Sequence, residues 1–355
     1  MKLLFLSKRR PQNRDLFTRP YGRFYHIPRL LARAGIEVHL VLGSYEAEPQ
    51  FITERDGMTI YSRRMSPNFP GFNHWARQLS RNIQPDVVVG LSDTWLGIVA
   101  ASAAAAANAK LVIDAYDNYE AYLPHAKPLH WLWRRALGKA HGLTAAGPQL
   151  LELLRHSNRQ ARHCVVPMAA DPLFHPKKAD ESRPTLKLPL QRKLIGYLGT
   201  ADSSRGFDIF LSALELLGAR RDDFDLVLSG RSKVETDFPA TRLHQLGYVA
   251  DELMPDLLNS CDLLACANKD SAFGNYSYPV KVYEALACGR PVLASDTAPA
   301  RWILGNNSRL LAKVGDVADM ANKMDALLDN PENSSALPDG WESSANRFGA
   351  LVKEL

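Results

Sequence analysis

The chain has few cysteines and no apolar run long enough to cross a membrane. Residues 1–7 are apolar but too short for the core of a signal peptide, and the longest apolar run, residues 95–109, is alanine-rich and falls short of a membrane span. Four cysteines lie in apolar contexts without the spacing of metal ligands: Cys164, Cys261, Cys266 and Cys288. This pattern excludes a disulfide scaffold and predicts reduced thiols in a cytoplasmic protein.

Several functional signatures are also absent. The sequence contains no P-loop, no GxGxxG dinucleotide site and no nucleophilic serine motif, so NTPase, NAD-dependent and serine-hydrolase functions have no support. It contains no helix-turn-helix, zinc-finger or RNP pattern, and we expect no nucleic acid partner. At 355 residues, with 46% hydrophobic and 23% charged residues, the chain suits two globular domains.

The charge is distributed unevenly along the chain. Residues 1–190 carry 26 Lys and Arg against 15 Asp and Glu, a net charge of +11, while the remainder carries 17 against 23, a net charge of −6. A basic first half predicts an anionic partner such as a lipid phosphate, an acidic glycan or an anionic membrane surface.

Residues 277–295, SYPVKVYEALACGRPVLAS, give the least ambiguous local pattern. Pro279 suits the first position of a helix and Gly289 suits its exit, which predicts a helix of about three turns. The apolar run that follows has the pattern of a buried parallel strand. The segment therefore predicts a helix that leads into a strand of an α/β sheet.

Lys281 and Glu284 share one face of this predicted helix. A lysine in the first turn is unfavourable beside the positive end of the helix dipole, unless an anion such as phosphate binds there. Glu284, one turn further on, could accept two hydrogen bonds from a vicinal diol such as a ribose. The pair therefore suggests a nucleotide site, and the alternative is an exposed ion pair of little energetic value.

The pattern Pro279-x-Lys281-x-x-Glu284-Ala285-x-Ala287-x-Gly289-x-Pro291-Val292 resembles the donor-site signature of the retaining family 4, or group 1, glycosyltransferases. The resemblance covers nearly the whole chain. It implies the GT-B fold, an α/β architecture in which two Rossmann-like, doubly wound parallel-sheet domains face a central cleft. It also implies transfer of a sugar from a UDP-sugar or GDP-sugar donor to an acceptor hydroxyl, with retention of anomeric configuration.

In the second half of the chain, the resemblance implies the donor site. Its residues would be Gly199, Thr200, Arg205, Gly230, Arg231, Tyr248, Tyr278, Pro279, Val280, Lys281 and Glu284. Arg205, Lys281 and the helix start would hold the diphosphate, which removes the need for a metal or another cofactor, and Glu284 would hold the ribose. The sequence Asp223-Phe224-Asp225 imitates a DxD metal motif but precedes its strand, so we predict no metal site.

In the first half, polar residues follow the predicted strands. Residues 2–7, a basic loop, a helix from Gly22 and a strand over residues 36–42 form one βαβ unit. Residues 85–90 and 111–114 are further predicted strands. Because the carboxyl ends of parallel strands face the ligand crevice, acceptor candidates lie in the segments that follow the predicted strands: Arg19, Gly22, Asp93, Asp117 and Glu120. Asp117 joins Arg205 and Lys281 as a catalytic candidate. Helix capping would give the same pattern.

The predicted domains are an N-terminal acceptor-binding domain over residues 1–176, with the last helix, 341–355, crossing back to it, and a C-terminal donor-binding domain over residues 193–335. Residues 177–192 are rich in Lys, Pro, Asp and Ser and predict the linker. Residues 127–140 combine Trp, Leu, Arg and Lys in one helix. We favour an amphipathic helix packed on the sheet, and the alternative is an interfacial helix on anionic lipid.

Two positions depart from the family pattern. Tyr276 stands where many relatives carry a glutamate that contacts the donor sugar, and Thr200 stands where they carry a basic residue. The favoured function is transfer to a glycan or lipid-linked glycan in cell-surface polysaccharide or lipopolysaccharide biosynthesis, in the cytoplasm or peripherally on the inner face of the membrane. The alternatives are a catalytically silent GT-B scaffold or nucleotide-sensing subunit of a polysaccharide assembly complex, and a nucleotide-sugar epimerase or hydrolase.

Overall fold

The computed structural model describes residues 1–199, 201–230, 236–332 and 340–355. The chain forms two compact units, Met1–Ala169 with Asp339–Leu355, and Ala170–Pro338. Each unit is built on one largely parallel sheet whose strands are connected through helices. The predicted α/β architecture of two parallel-sheet domains is confirmed. None of the helices in the described ranges combines the length and the apolar content needed to cross a membrane.

The first unit contains an eight-stranded sheet in the order β3-β4-β2-β1-β5-β6-β7-β8. Every neighbouring pair is parallel except β3 and β4, which form an antiparallel hairpin at one edge. The strands are β1 (Lys2–Lys8), β2 (Glu37–Ser44), β3 (Phe51–Arg55), β4 (Met58–Arg64), β5 (Val87–Gly90), β6 (Lys110–Ala115), β7 (Gly142–Ala145) and β8 (Arg162–Val165). The central strand β1 is fully buried from Leu3 to Leu6, as expected of a parallel strand with both faces covered.

The described residues of the first unit form six α-helices: α1 (Arg23–Arg33), α2 (Phe69–Ile83), α3 (Thr94–Ala107), α4 (Lys127–Gly138), α5 (Pro148–Arg155) and the last helix of the chain, Trp341–Lys353. The last helix packs beside α1, where Trp341 stacks on His26 with ring centroids 5.7 Å apart. Its buried side chains include Phe348, whose ring packs against that of Phe5 in β1 with the centroids 5.8 Å apart. The C-terminal segment thereby completes the core of the first unit.

The second unit contains a six-stranded, fully parallel sheet in the order β11-β10-β9-β12-β13-β14. Its strands are β9 (Lys193–Leu198), β10 (Phe224–Ser229), β11 (Leu243–Gly247), β12 (Leu263–Cys266), β13 (Val292–Ser295) and β14 (Leu311–Ala312). Its helices are α6 (Ala179–Ser182), α7 (Phe207–Gly218), α8 (Met254–Ser260), α9 (Val280–Ala287), α10 (Ala298–Ile303) and α11 (Val317–Asp329), so the last helix of the chain is α12. This strand order is that of the Rossmann fold.

The structure differs from the sequence expectation at the domain boundary. The two units divide between Ala169 and Ala170, and residues 177–192, the predicted linker, lie inside the second unit. The physical reason is Arg183, which is buried and donates to the Ser260 carbonyl at 3.0 Å and to the Asp262 carboxylate at 2.7 Å. Polar composition alone does not reveal that such a segment is fastened to a core.

Helix α9 also differs from its predicted bounds. It begins at Val280 and spans eight residues, about two turns instead of three. Pro279 is its N-cap residue, with extended backbone angles of φ −68° and ψ 121°. Lys281 nevertheless stays in the first turn, and Gly289 ends the segment with a positive φ of 66°, a conformation that favours glycine.

Candidate functional site

The second unit has one topological switch point, between β9 and β12. From β9 the chain proceeds through β10 and β11 to one side of the sheet, and β12, β13 and β14 continue on the other side. Ligands of open parallel sheets bind at the carboxyl ends of the strands that flank such a switch. Gly199 follows β9 and Asn268 follows β12 at this edge, so these positions mark the candidate donor site.

Glycines bring the backbone close together at this edge. The Gly199 amide donates to the Ser229 carbonyl at 2.9 Å, and the Gly230 amide donates to the Gly247 carbonyl at 2.8 Å. Gly199 and Gly230 have φ angles of +125° and +139°, and a Cβ on Gly230 would overlap the Gly199 carbonyl oxygen. Both backbone conformations favour glycine, and at Gly230 a Cβ has no room, so the ends of β9 and β10 can lie close together. Two predicted donor residues, Thr200 and Arg231, lie outside the described residues.

Lys281 reaches from the first turn of α9 to the end of β9. Its Cε and Cδ atoms lie 3.3 Å and 3.7 Å from the position that a Cβ on Gly199 would occupy. A cation is therefore held against the glycine loop at the switch point, which is the position a diphosphate would need. The structure thus brings together two of the residues predicted for the donor site.

Arg205 lies near the same edge, in the segment between β9 and α7. It ends a short 3-10 turn, and its guanidinium lies over the Phe273 ring, 4.7 Å from the centroid. Gly206, the next residue, packs on Ala267 and Asn268 directly after β12, because a Cβ on it would lie 3.4 Å from atoms of both. Arg205 is thereby held above the end of β12.

The pKa of Cys266 depends on the charged groups at this edge. It is the last residue of β12, and burial raises the pKa of its thiol to about 11, against the opposing positive charges of Arg205 and Lys281. Both cations therefore act on the same point at the switch of the sheet. Cys266 is not among the predicted site residues, because its sequence context carries no signal for this position.

Glu284 lies one turn after Lys281 on α9. It is buried, with 7% of its surface exposed, so the interpretation of an exposed surface ion pair does not hold for this carboxylate. Its charge also acts on Cys288, whose pKa burial raises to about 12, with Glu284 adding to the rise. A buried carboxylate on the helix that also carries Lys281 suits hydrogen bonding to a ligand hydroxyl pair.

The segment before α9 forms a compact turn. The Gly274 amide donates to Ser271 Oγ at 3.0 Å, and Asn275 Nδ2 donates to Asp270 at 2.6 Å. Tyr276, which stands where the family resemblance implies a glutamate, ends a 3-10 turn over Gly274–Tyr276. The side-chain amide of Asn275, the residue before Tyr276, is therefore bonded to Asp270 in this conformation.

The remaining predicted donor residues lie in different environments. Tyr278 is buried and makes an edge-on contact with Trp302, with ring centroids 5.7 Å apart. This contact supports the start of α9. Val280 is the first residue of α9. Tyr248, which follows β11, is 57% exposed. An exposed aromatic ring at the edge of a sheet suits stacking on a flat group such as a base.

In the first unit, Asp93 serves two roles. One carboxylate oxygen caps α3 by accepting from the Leu96 amide at 2.8 Å, which is the alternative that the sequence left open. The other oxygen accepts from the Tyr45 hydroxyl at 2.7 Å and pairs with Lys8 Nζ at 3.1 Å. Lys8 and Tyr45, from the ends of β1 and β2, were not among the predicted residues, since no motif marks them.

Asp117 and Glu120 follow β6 but differ in their surroundings. Asp117 is buried and accepts from the Tyr122 hydroxyl at 2.5 Å. Glu120 accepts from Arg134 of α4 at 2.8 Å and 2.5 Å, which ties the loop to that helix. Asp117 therefore remains an acceptor candidate by position, whereas the contacts of Glu120 are those of a residue that fixes the loop.

The basic loop after β1 is partly folded on itself. Arg9 is buried and pairs with Asp15 at 2.9 Å, and Arg10 pairs with Glu48 at 2.5 Å. Arg19 is exposed. Gly22, with φ +62°, is the N-cap of α1, and its carbonyl accepts from the amides of the first turn. Of the four basic residues in this loop, at least two are therefore used to build it.

Within the described ranges, no cluster of three or more His, Cys, Asp or Glu side chains is arranged to hold a metal ion. The two carboxylates of the DxD-like sequence are bound by neighbouring side chains: Asp223 by Arg221 at 2.7 Å, and Asp225 by His244 at 2.9 Å. The bonds from Arg221 lower the pKa of Asp223 to about 2. Both carboxylates at the start of β10 are therefore hydrogen-bonded to neighbouring side chains.

Two family models match consecutive parts of the chain. Residues 23–169 match the model described as "Glycosyl transferase 4-like domain", and residues 192–330 match the model described as "Glycosyl transferases group 1". The first match lies in the first unit and the second lies in the second unit.

Curated relatives match over part of their length. The chain is 27% identical over 213 residues to a D-inositol 3-phosphate glycosyltransferase of Arthrobacter sp. (strain FB24), covering 56% of this chain and 49% of that protein. It is 30% identical over 149 residues to a phosphatidyl-myo-inositol mannosyltransferase of Mycobacterium leprae (strain TN), covering 40% of this chain and 39% of that protein. The chain thus spans half or less of the length of these relatives.

Solved structures match over nearly the whole chain. Sucrose-phosphate synthase from Thermosynechococcus elongatus has a TM-score of 0.75 at 15% identity, covering 99% of this chain and 96% of that one. HepE from Anabaena, in a complex with UDP, has a TM-score of 0.71 at 15% identity, covering 100% of this chain and 98% of that one. These similarities show the fold, which is GT-B.

Proposed function

Since this chain belongs to the group 1 glycosyltransferase family, we propose that it transfers a glycosyl group from a nucleotide-diphosphate sugar to an acceptor hydroxyl. The observation that carries the proposal is the approach of Lys281 to Gly199 at the switch point of the second sheet. The charges of Arg205 and Lys281 both lower the pKa of Cys266, at the end of β12, and Glu284 lies one helical turn after Lys281. Two cations and a buried carboxylate at one sheet edge suit a nucleoside diphosphate.

Each residue has a physical task in this proposal. Lys281, Arg205 and the amides at the start of α9 bind the diphosphate and stabilise its negative charge as it departs. Glu284 accepts hydrogen bonds from the ribose hydroxyls. Because these side chains supply the positive charge, the proposed reaction uses neither a metal nor another cofactor. Asp117 in the first unit is proposed to orient the acceptor hydroxyl.

The donor and acceptor classes follow from the relatives. HepE has been solved with UDP, which makes a UDP-sugar the first donor to test, with a GDP-sugar second. The curated relatives are named for inositol-phosphate and phosphatidylinositol acceptors. We propose a glycan or lipid-linked acceptor in cell-surface polysaccharide or lipopolysaccharide biosynthesis, transfer with retention of configuration, and a cytoplasmic enzyme that works on the inner face of the membrane.

One observation favours a second candidate function. The side chain of Asn275 is bonded to Asp270, and the next residue is Tyr276, where the family resemblance implies a glutamate that contacts the donor sugar. A chain that binds nucleotide but has lost its sugar contact would be a silent scaffold or a nucleotide-sensing subunit. The buried Glu284 and the placement of Lys281 favour the enzyme over the scaffold.

Thermal stability in the presence of UDP, GDP, ADP and their common sugar conjugates tests the donor site. A ligand at about 100 times its dissociation constant adds about 2.7 kcal/mol to the stability of the protein, which raises the melting temperature by a few degrees. We expect a rise with one base only. If none of the nucleotides at millimolar concentration raises the melting temperature, the donor site is wrong.

Release of the nucleoside diphosphate from the selected donor then separates the candidate activities. Release that depends on added acceptor supports the transferase, and the anomeric configuration of the product, measured by NMR, tests retention. Release of free sugar without acceptor indicates a hydrolase. Nucleotide binding without any release supports the silent scaffold.

A further inference from the structure

Helix α4 and the turn before it leave a row of large apolar side chains in solvent. Tyr122, Leu123, Trp131 and Leu132 are 48%, 54%, 60% and 37% exposed. The opposite face of α4 already packs in the core, since Leu129, Trp133 and Leu137 are buried. The fold therefore accounts for only one side of this helix, and the favoured interpretation of simple packing on the sheet explains only the inner face.

The same outer surface is basic. Lys127, Trp131, Arg135 and Lys139 recur at four-residue intervals and so follow one face of the helix, and all four are exposed. The Arg135 guanidinium lies 5.5 Å from the centre of the Trp131 ring. The nearby acid, Glu120, is neutralised by two hydrogen bonds from Arg134. The surface therefore combines exposed aromatic and aliphatic groups with positive charge.

The apolar tip of this surface is held in a fixed position. The Leu123 carbonyl accepts from the Ala126 amide at 3.0 Å and lies 2.9 Å from His130 Nε2. Tyr119 packs on Trp133, with ring centroids 5.6 Å apart. Because these contacts fix the turn to α4, the exposed groups lose little conformational entropy when they bind a surface.

We propose that this docking face, formed by Tyr122, Leu123, Lys127, Trp131, Leu132, Arg135 and Lys139, binds the surface of an anionic lipid bilayer. The charges are complementary to anionic headgroups, and each Lys or Arg near such a surface strengthens binding. Tyr, Trp and Leu insert at the boundary between headgroups and acyl chains, where a ring or an aliphatic group leaves water beside a polar layer. The net charge of +11 on residues 1–190 favours the same partner.

The docking face adjoins a proposed acceptor residue. The Tyr122 hydroxyl donates to Asp117 at 2.5 Å, so Asp117 lies next to the apolar tip. Docking would hold Asp117 at the level of the lipid headgroups, where the hydroxyl of a lipid-linked acceptor would be found. This last step rests on the proposed function, whereas binding to lipid does not.

Co-sedimentation of the full chain with vesicles tests the docking face. One vesicle population contains phosphatidylcholine and phosphatidylglycerol in equal parts, and the other contains phosphatidylcholine alone. We expect binding to the anionic vesicles at low salt, weaker binding at high salt and none to the neutral vesicles. If the wild-type chain stays in the supernatant with anionic vesicles at low salt, the proposal is wrong.

Two double variants and their matched controls locate the surface. Trp131→Ser with Leu132→Ser, and Arg135→Glu with Lys139→Glu, should each weaken binding by about tenfold or more. The controls are Ile52→Ser, an exposed apolar side chain in β3, and Arg159→Glu with Arg162→Glu, which should bind as the wild type does. Equal losses in variants and controls would overturn the location.

The nucleotide-induced rise in melting temperature is measured on the same variants. It depends on the second unit and should be unchanged by substitutions on α4. If the vesicle test rejects the docking face, the nucleotide test of the donor site therefore still stands. If nucleotides do not raise the melting temperature, vesicle binding still tests the docking face.

Discussion

The contact between Arg205 and Phe273 links the proposed diphosphate site to the loop before α9, in which Tyr276 replaces the expected glutamate. The guanidinium lies 4.7 Å from the centre of the ring, a distance at which a cation and an aromatic face attract each other. Phe273, in the loop where the family resemblance implies a glutamate, is therefore in place to position a cation of the proposed donor site.

Phe273→Leu should weaken binding of the selected nucleoside diphosphate by about twofold to fivefold, because the cation–π contact contributes about 0.5–1 kcal/mol. Phe273→Tyr, which keeps the aromatic face, should bind as the wild type does. Isothermal titration calorimetry measures both affinities. In an Arg205→Ala background, Phe273→Leu should have no further effect, and an equal loss in that background would show that Phe273 does not act through Arg205.

Arg23 and Asp114 form a buried ion pair in the first unit. Arg23 donates to Asp114 at 3.0 Å and 2.6 Å, Thr144 donates to the same carboxylate at 2.6 Å, and both charged side chains are 1% exposed or less. Neither residue stands out in the sequence, because α1 carries three arginines and nothing in their spacing marks Arg23 as the buried one. The pair fastens α1 to the end of β6.

Asp114→Asn should lower the free energy of unfolding of the first unit by about 3–5 kcal/mol, because it leaves a buried guanidinium without its counter-charge. Urea unfolding followed by far-UV circular dichroism measures this change. The matched control is Glu152→Gln, which removes the exposed partner of Arg155 and should cost less than about 1 kcal/mol. Similar losses in both variants would contradict the assignment of a buried pair.

At the scale of single elements, the glycines of the second sheet decide the shape of the site. Gly230 and Gly199 touch at the ends of β10 and β9, where both have positive φ angles. Gly218 lies at the end of α7, where a Cβ would meet no atom of the described residues within 4 Å. Substitution by alanine should therefore be harmful at Gly230 and harmless at Gly218.

Gly230→Ala should destabilise the second unit by about 1–3 kcal/mol, the usual cost of a side chain in a disfavoured backbone conformation, and should weaken nucleotide binding as the strand ends separate. Gly218→Ala should leave both properties unchanged. Thermal unfolding with and without nucleotide measures them together. An unchanged nucleotide affinity in Gly230→Ala would show that this close approach does not shape the site.

Several elements could be predicted from the sequence because their signals are local. The segment around α9 and β13 carries a proline, a glycine and an apolar run in fixed order, and the structure has the predicted helix and strand with a shorter helix. The hairpin of β3 and β4 carries a local signal too, since Asp56 and Gly57 occupy its turn with φ angles of 54° and 78°. The sequence prediction nevertheless omits β3.

At the scale of the whole molecule, the two parallel-sheet units follow from length and from alternating strand and helix patterns. The site is harder to predict, because it depends on which side chains meet when distant segments fold together. The contact of Lys281 with Gly199 joins residues 82 positions apart, and the bond between Tyr45 and Asp93 joins residues 48 positions apart. No pattern within one segment encodes such contacts.

The distribution of charge along the chain supports both proposals, a docking face in the first unit and a donor site in the second. The first half is basic and carries the docking face, and the second half is acidic overall yet concentrates Arg205 and Lys281 at one sheet edge. Positive charge that is retained at one point of an acidic region is expected where an anion binds.

The most direct test of the donor site is the affinity of the selected nucleoside diphosphate and its 2′-deoxy analogue for the wild type and for Glu284→Gln, measured by calorimetry. The wild type should bind the analogue about tenfold more weakly, because hydrogen bonds to a carboxylate contribute about 1.5–3 kcal/mol. Glu284→Gln should bind both ligands equally weakly, and the control Glu252→Gln, at an exposed carboxylate, should behave as the wild type. Wild-type affinity for both ligands in Glu284→Gln would contradict the proposed contact with the ribose.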